Sequence, residues 1–374
     1  MEGLTPALLD GAKSLVRFSN IQAGDNVIIF VDRPNDDALA VRAIEMAVDE
    51  VGAVPVTIRA KEWAMRFDEP PRPIEWALKG ADFVIDQSGS LNPKGHYMSV
   101  AMKEYGITHI MNEAKTAEVL ASEYVRFPGE LLFAIAFRVT QKIVKAKRLR
   151  VTTPKGTDIA MGIHPRRIGS NSTFDPKGRP DTETSPGTKR PFPGLAIGIH
   201  PEDPVSGVIM VESIYPGLNP PKVILKDPLR IVIEDHWATE ISGEYSDWVK
   251  EMLVKKGDEN SRWLGECMWG VNPKGYPFGW PDNVGSSVAY YLPMHNRSDM
   301  LHFALGMAIG GAKYSKLHAD FYTHKPTVYL DGEKIIEDGH LLAFDEPEIR
   351  EIAKKYGDPD KILSTKPLPR GMFD

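Results

Sequence analysis

Val27-Ile-Ile-Phe-Val31, Ala38-Leu-Ala-Val-Arg-Ala-Ile-Glu-Met-Ala-Val-Asp-Glu-Val51 and Val54-Pro-Val-Thr-Ile58 follow one another near the start of the chain. The first and third are short β-branched runs and the middle one repeats its apolar residues at helical spacing, so they read as strand, helix, strand. The alternation continues, with Phe83 to Ile85 and Thr108 to Met111 as further strands and Ile74 to Lys79 and Tyr97 to Tyr105 as further helices. Strands joined in this way pair in parallel, because a parallel connection needs a crossover that covers the sheet. An α/β protein is therefore expected, opening with a Rossmann-like parallel-sheet domain. The likeness is architectural only. No GxGxxG follows these strands, and Gly306 to Lys313 is not a P-loop because Ala312 separates Gly311 from Lys313. Nucleotide binding is not expected.

Further along, a helical stretch from Thr116 to Lys147, interrupted near Pro128 and Gly129, leads into Leu149-Arg-Val-Thr-Thr153, where the texture changes. Proline and glycine become frequent, and the strands are short, as in Val208 to Glu212, Lys222 to Leu225 and Arg230 to Ile233. This suggests mixed or antiparallel β structure. The expected division is residues 1–148 as the α/β domain and 149–374 as a mixed α+β, β-rich domain. Gly169 to Gly187 is dominated by turn-forming and charged residues, so it reads as a long surface loop and a candidate active-site lid.

The chain's 374 residues carry 45 Lys and Arg against 51 Asp and Glu, a net charge of -6, which offers no global attraction to a polyanion. A small-molecule substrate is expected, with no nucleic acid as partner. The single cysteine, Cys267, can form neither an intramolecular disulfide nor a multi-thiolate metal site, which fits a cytoplasmic protein. Apolar runs are interrupted by charge, at Asp10, Lys13 and Arg17 near the start and at Arg138 and Lys142 in the longest candidate, so neither a signal peptide nor a membrane span is expected.

Three segments could carry chemistry. In Leu317-His318-Ala319-Asp320-Phe321-Tyr322-Thr323-His324, strand geometry would place His318, Asp320, Tyr322 and His324 on one face, opposite Leu317, Ala319 and Phe321. The following Asp331-Gly332, between two alternating runs, is a hairpin signal. An imidazole and a carboxylate two residues apart on one face can bind one metal ion; the competing reading is a solvated edge strand. In Trp263-Leu-Gly-Glu266-Cys-Met-Trp-Gly270, one acid stands in apolar surroundings, where burial is costly unless a cation or donors compensate. His302 is the one imidazole in the apolar stretch Met300 to Ile309, either a hydrogen-bonded core histidine or a ligand.

The order and context of these segments resemble two families. Leu264-Gly265-Glu266, His302 in its His-Phe-Ala-Leu-Gly setting and His318-Ala-Asp320 are similar to the later metal-ligand motifs of the thermophilic metallo-aminopeptidases. The resemblance to 2,5-dihydroxypyridine 5,6-dioxygenases covers more of the chain. It includes the α/β half, Gly156-Thr-Asp158, Asp203-Pro-Val-Ser-Gly207, Trp269-Gly-Val-Asn-Pro273 and His318-x-Asp320 followed by Val328-Tyr-Leu-Asp331. The aminopeptidase pattern implies two metals and a further Glu after a Phe-Pro-Gly motif, but here Phe192-Pro193-Gly194 is followed by Leu195 and Ala196, and a tyrosine of that pattern is replaced by Ile309. The dioxygenase pattern implies His at the position of Glu266, no ligand at His302, and a proton-shuttling His where this chain has Asn92, with His96 nearby.

The reading that follows is a mononuclear metal enzyme whose ligands are Glu266, His318 and Asp320, with His302 as a fourth ligand or a base. Resemblance to the dioxygenases implies Fe(II), O₂ and ring cleavage of a small hydroxylated N-heterocycle or aromatic. The hydrolase alternative uses the same ligands for Zn or Mn. Tyr322 is the candidate proton donor, and Arg166, Arg167, Lys189 and Arg190 could hold an acidic substituent. Both families imply a homo-oligomer.

Overall fold

The computed structural model describes residues 3–33, 36–61, 70–88, 91, 96–163, 189–193, 196–215, 223–255, 257–278, 293–306, 313 and 315–373. The candidate lid Gly169 to Gly187, Arg166, Arg167, Asn92 and Ile309 lie outside these residues. Among the described residues, no helix is long and apolar enough to cross a membrane.

Two compact units make up the chain. The first holds the chain through Phe127 and is built on strands β1 (Asn26–Asp32), β2 (Val54–Ala60), β3 (Phe83–Asp86), β4 (Thr108–Asn112) and β7 (Lys189–Phe192), labels following chain order. They pair in the order β2-β1-β3-β4-β7, all parallel, as the alternating pattern requires. Helices α1 (Pro6–Ser19), α2 (Ala38–Glu50), α3 (Arg72–Lys79), α4 (His96–Tyr105) and α5 (Ala117–Leu120) belong to the same unit. The ends of α2 are set by chemistry: Asp37 caps it by accepting from the N–H groups of Leu39 and Ala40, and Gly52, at φ +81°, follows it. Phe30 and Val84 on the strands pack with Leu78 of α3 and Ala101 of α4 in one apolar cluster.

At the carboxyl ends of β1, β3 and β4 this core turns polar. Asp32, Asp86 and Lys115 are all buried. The Lys115 ammonium donates to the carbonyl oxygens of Asp86 (3.0 Å) and Ser88 (2.7 Å), and His109 Nε2 lies 3.3 Å from Asp86 Oδ2. Burial pulls the Lys115 pKa down, whereas Lys115 and His109 together overcome burial to hold Asp86 below the usual carboxylate range.

The second unit carries a sheet of twelve strands: β5 (Arg148–Thr152), β6 (Asp158–Ile163), β8 (Ala196–Ile199), β9 (Pro201–Tyr215), β10 (Val223–Glu234), β11 (Trp237–Gly243), β12 (Leu264–Gly270), β13 (Met300–Gly306), β14 (His318–His324), β15 (Thr327–Leu330), β16 (Glu333–Glu337) and β17 (His340–Leu341). The main path is β17-β16-β15-β5-β6-β9-β14-β13-β12-β8, with β10 paired to β9 and β11 to β10. Its pairings are antiparallel. The Asp331-Gly332 hairpin forms as expected, both residues at positive φ (47° and 91°) between β15 and β16.

The structure differs from the sequence reading in three places. Lys189 and Arg190, taken as a basic flank of the polar loop, lie in β7, the fifth strand of the first unit's sheet. The helical stretch beginning at Thr116 breaks at Pro128 and Gly129 as expected, but before α6 (Gly129–Ile143) only the short α5 is α-helical. Finally, α6 groups with the second unit rather than ending the first. Its buried stripe of Leu131, Ile135, Val139 and Ile143 explains this, since α6 packs against the helix Pro347–Lys354 of the C-terminal region.

Candidate metal centre

The centre is assembled by strand register within the second unit. In the β12–β13–β14 ladder, Glu266 stands opposite Ala304, and Ala304 opposite Asp320, so the two acids flank one small residue in a single cross-strand row. The next row is Met268, His302 and Tyr322. Directly opposed residues in an antiparallel ladder share a face, which puts Glu266, His302, Asp320 and Tyr322 on the same side of the sheet. A register shift between Leu264 and Glu266 marks a bulge beside the site. The intervening residues Cys267, Phe303, Ala319 and Phe321 are fully buried, so both faces of these strands are covered. The solvated-edge reading of the His-x-Asp strand is thereby overturned: β14 is central, paired to β13 and β9.

Of the four expected ligands, His318 stands next to both acids. His318 Nε2 lies 2.9 Å from Asp320 Oδ1 and 3.8 Å from Glu266 Oε2. Two donor atoms each about 2.1 Å from a metal ion stand about 3 to 4 Å apart, so each of these two spacings is compatible with a bridging ion. Asp320 Oδ1 is buried, and its approach to His318 lacks the alignment of a hydrogen bond. Burial alone would raise the Asp320 pKa; the imidazoles of His318 and His302, with that of His295, outweigh it and hold the carboxyl well below the usual range. Glu266, His302 and Asp320 are each at most 5% exposed, which keeps water from screening these charges.

The fourth, His302, belongs to the group through Asp320. Its nearest ligating atom, one from Asp320 and one from His295 all lie within 4.8 Å of one another. The rings of His295, His302 and Tyr322 form a triangle with centroids 4.9, 5.0 and 5.1 Å apart, and Tyr322 Oη makes a short hydrogen bond with His295 Nε2. Sequence reasoning missed His295. It lies outside any periodic pattern, in the segment leading into β13, and its only signal is the neighbouring Asn296-Arg297, a polar pair that turns out to be fully buried. Arg297 anchors this segment. Its Nε donates to Asp299 Oδ1 at 2.6 Å, and its Nη1 donates to the carbonyl oxygens of Gly275 (2.6 Å) and Lys366 (2.7 Å).

Two other residues are placed apart from the ligands. His324, expected on the same face, sits at the far end of β14, where its ring stacks on Phe373 with centroids 4.8 Å apart. Cys267 points away from Glu266 along the pleat, and burial, with the Glu266 charge, raises its thiol pKa, so it stays a protonated core residue.

A family model described as 2,5-dihydroxypyridine 5,6-dioxygenase matches residues 7–343. Among solved structures, that of 2,5-dihydroxypyridine dioxygenase from Pseudomonas putida KT2440 is similar, with a TM-score of 0.69 and 16% sequence identity over 91% of this chain and 98% of that chain. At that identity the likeness shows a shared fold. No curated protein sequence matches. The family match spans nearly the whole chain, and the chain belongs to the 2,5-dihydroxypyridine 5,6-dioxygenase family.

Proposed function

We propose that this member of the dioxygenase family holds one Fe(II) per chain and cleaves the ring of a small hydroxylated N-heterocyclic or aromatic compound. The observations that carry the reading are His318 Nε2 standing 2.9 Å from Asp320 Oδ1 and 3.8 Å from Glu266 Oε2, and the grouping of His302 and His295 with the buried Asp320. His318 through Nε2 and the two acids through carboxylate oxygens would hold the ion. His302, one row away, would complete the set or act as a base. Bound there, Fe(II) would supply the redox chemistry that oxygen activation needs.

The chain's own residues do the rest. Two carboxylates offset the charge of a divalent cation in a site where water does not, and the covered faces of β12, β13 and β14 exclude solvent. The Tyr322 hydroxyl, oriented by His295, can hold a proton at Oη on the side of the row that faces His302. The test is restoration of activity to metal-free protein with Fe(II) or with Zn²⁺, using hydroxypyridines, dihydroxybenzoates, aminoacyl anilides and cyclic amides, in air and under nitrogen. Ring opening only with Fe(II) in air, with matching oxygen uptake, is the expected result. Turnover under nitrogen with Zn²⁺ would assign the same ligands to a hydrolase instead.

A further inference from the structure

At the far end of β14 the second unit contains another cavity, of about 470 Å³, within the range of small-molecule sites. Glu212 of β9 and His324 line it, and Glu212 Oε2 accepts the His324 backbone N–H at 2.7 Å. Prolines 154, 367 and 369, with Leu368 and the Phe373 ring, supply apolar wall. Three cations, Lys155, Lys325 and Arg370, stand around it. Of the two acids in the lining, Asp299 is already engaged by the Arg297 guanidinium at two points, and Glu212 is 5% exposed. Burial pushes the Glu212 pKa up, while the nearby Lys155 and Lys325 act to lower it. His324 is shifted to about 4, burial being the largest cause and Lys325, Arg297 and Lys155 adding to it, so it is neutral at pH 7. The charge facing the cavity is thus predominantly positive.

Lys325 gives an independent indication. It sits at φ +51°, a left-handed conformation that costs a side chain without a local hydrogen-bonding group about 1–2 kcal/mol. Glycine would serve that bend with less strain, and the lysine adds an ammonium group at the cavity wall.

We propose that this cavity is a binding site for a small aromatic carboxylate, its ring against the proline and Phe373 wall and its carboxylate between Lys325, Lys155 and Arg370. An arginine can take both carboxylate oxygens, and a flat ring suits a narrow apolar wall better than an alkyl chain does. Because the three cations are exposed, binding weakens as ionic strength rises. The site shares no residue with the metal ligands.

Calorimetric titration with benzoate at low salt tests this, on the full chain after dialysis against EDTA so that binding at a metal is removed from the measurement. Benzamide, the same ring without charge, and acetate, the same charge without a ring, are the controls. Saturable binding of benzoate is expected, at least tenfold tighter than either control, and at least tenfold weaker in Lys325→Gly and in Arg370→Gln. Lys325→Gly relieves the backbone, so its melting temperature should match or exceed that of the unaltered chain, which separates lost binding from lost folding. Absence of saturable binding, benzamide or acetate binding as well as benzoate, or full affinity in both variants would each overturn the proposal.

Discussion

Gly270→Ala should disrupt the second unit far beyond what one methyl group suggests. A Cβ at Gly270 would stand 1.8 Å from the carbonyl carbon of Asn296 and 2.1 Å from both its Cα and its oxygen. The obstacle is main chain, which cannot rotate away as a side chain could. To reach ordinary contact, about 3.5 Å between carbons, the Asn296 segment must retreat by roughly 1.7 Å. That retreat breaks the hydrogen bonds from Gly270 N to Arg297 O (3.0 Å) and from Asn272 N to Asn296 O (2.7 Å). Overpacking at about 1–3 kcal/mol and two hydrogen bonds at about 0.5–1.5 kcal/mol each give a destabilisation of about 4 kcal/mol. His295, which is grouped with His302 and Asp320, precedes Asn296, so metal retention should fall as well. The assay is urea denaturation followed by tryptophan fluorescence, with Gly129→Ala as control, because a Cβ there meets nothing within 4 Å. The control should be neutral or stabilising by up to about 1 kcal/mol. A Gly270→Ala protein within about 0.5 kcal/mol of the unaltered chain, the ordinary spread of harmless substitutions, would refute the close-approach argument.

Elemental analysis should find one metal per chain, lost in both His318→Ala and Asp320→Ala while the far-ultraviolet circular dichroism is retained; two equivalents, or full occupancy in either variant, would contradict the ligand assignment. Lys115→Met strips the counter-charge from Asp86 and leaves the carbonyls of Asp86 and Ser88 without their donor, so a loss of about 3–5 kcal/mol is expected in denaturation; a neutral outcome would show that the network carries no net stability. His324 binds its proton at about 4 when folded and near 6.5 when unfolded, so below pH 6.5 the unfolded chain takes up the proton first. Stability should therefore decline from pH 6.5 to about 4, by up to about 3 kcal/mol from this residue. His324→Gln should flatten that decline, and an unchanged slope would count against it.

The parallel sheet was legible because each of its first four strands is an apolar run followed by a helix with its own boundary signals, Asp37 before α2 and Gly80 after α3 being examples. β7 was not, since Lys189-Arg-Pro-Phe192 has neither alternation nor β-branched residues and gains its place from pairing with β4. At the centre, period-two reasoning placed Asp320 and Tyr322 on one face of β14 beside His318, but it could not say that Glu266 would stand in the same row, because that depends on the bulge after Leu264. His295 was invisible for a further reason. Its position is set by hydrogen bonds between Arg297 and distant carbonyls of residues 275 and 366, which no local pattern encodes.

The pleat of the central strands separates two jobs. Glu266, His302 and Asp320 alternate with Cys267, Phe303 and Phe321, so the groups proposed to meet an ion and the groups that fill the opposite face never compete for a position. Exchanging carboxylate for imidazole at 266 would therefore alter the hardness and charge of the proposed coordination sphere while the packing layer beneath keeps its shape. Replacing oxygen donors by nitrogen donors one at a time should move metal preference in steps from hard towards borderline ions. The sheet is in that sense a mount on which the electronic character of the centre can be retuned without redesigning the protein that carries it.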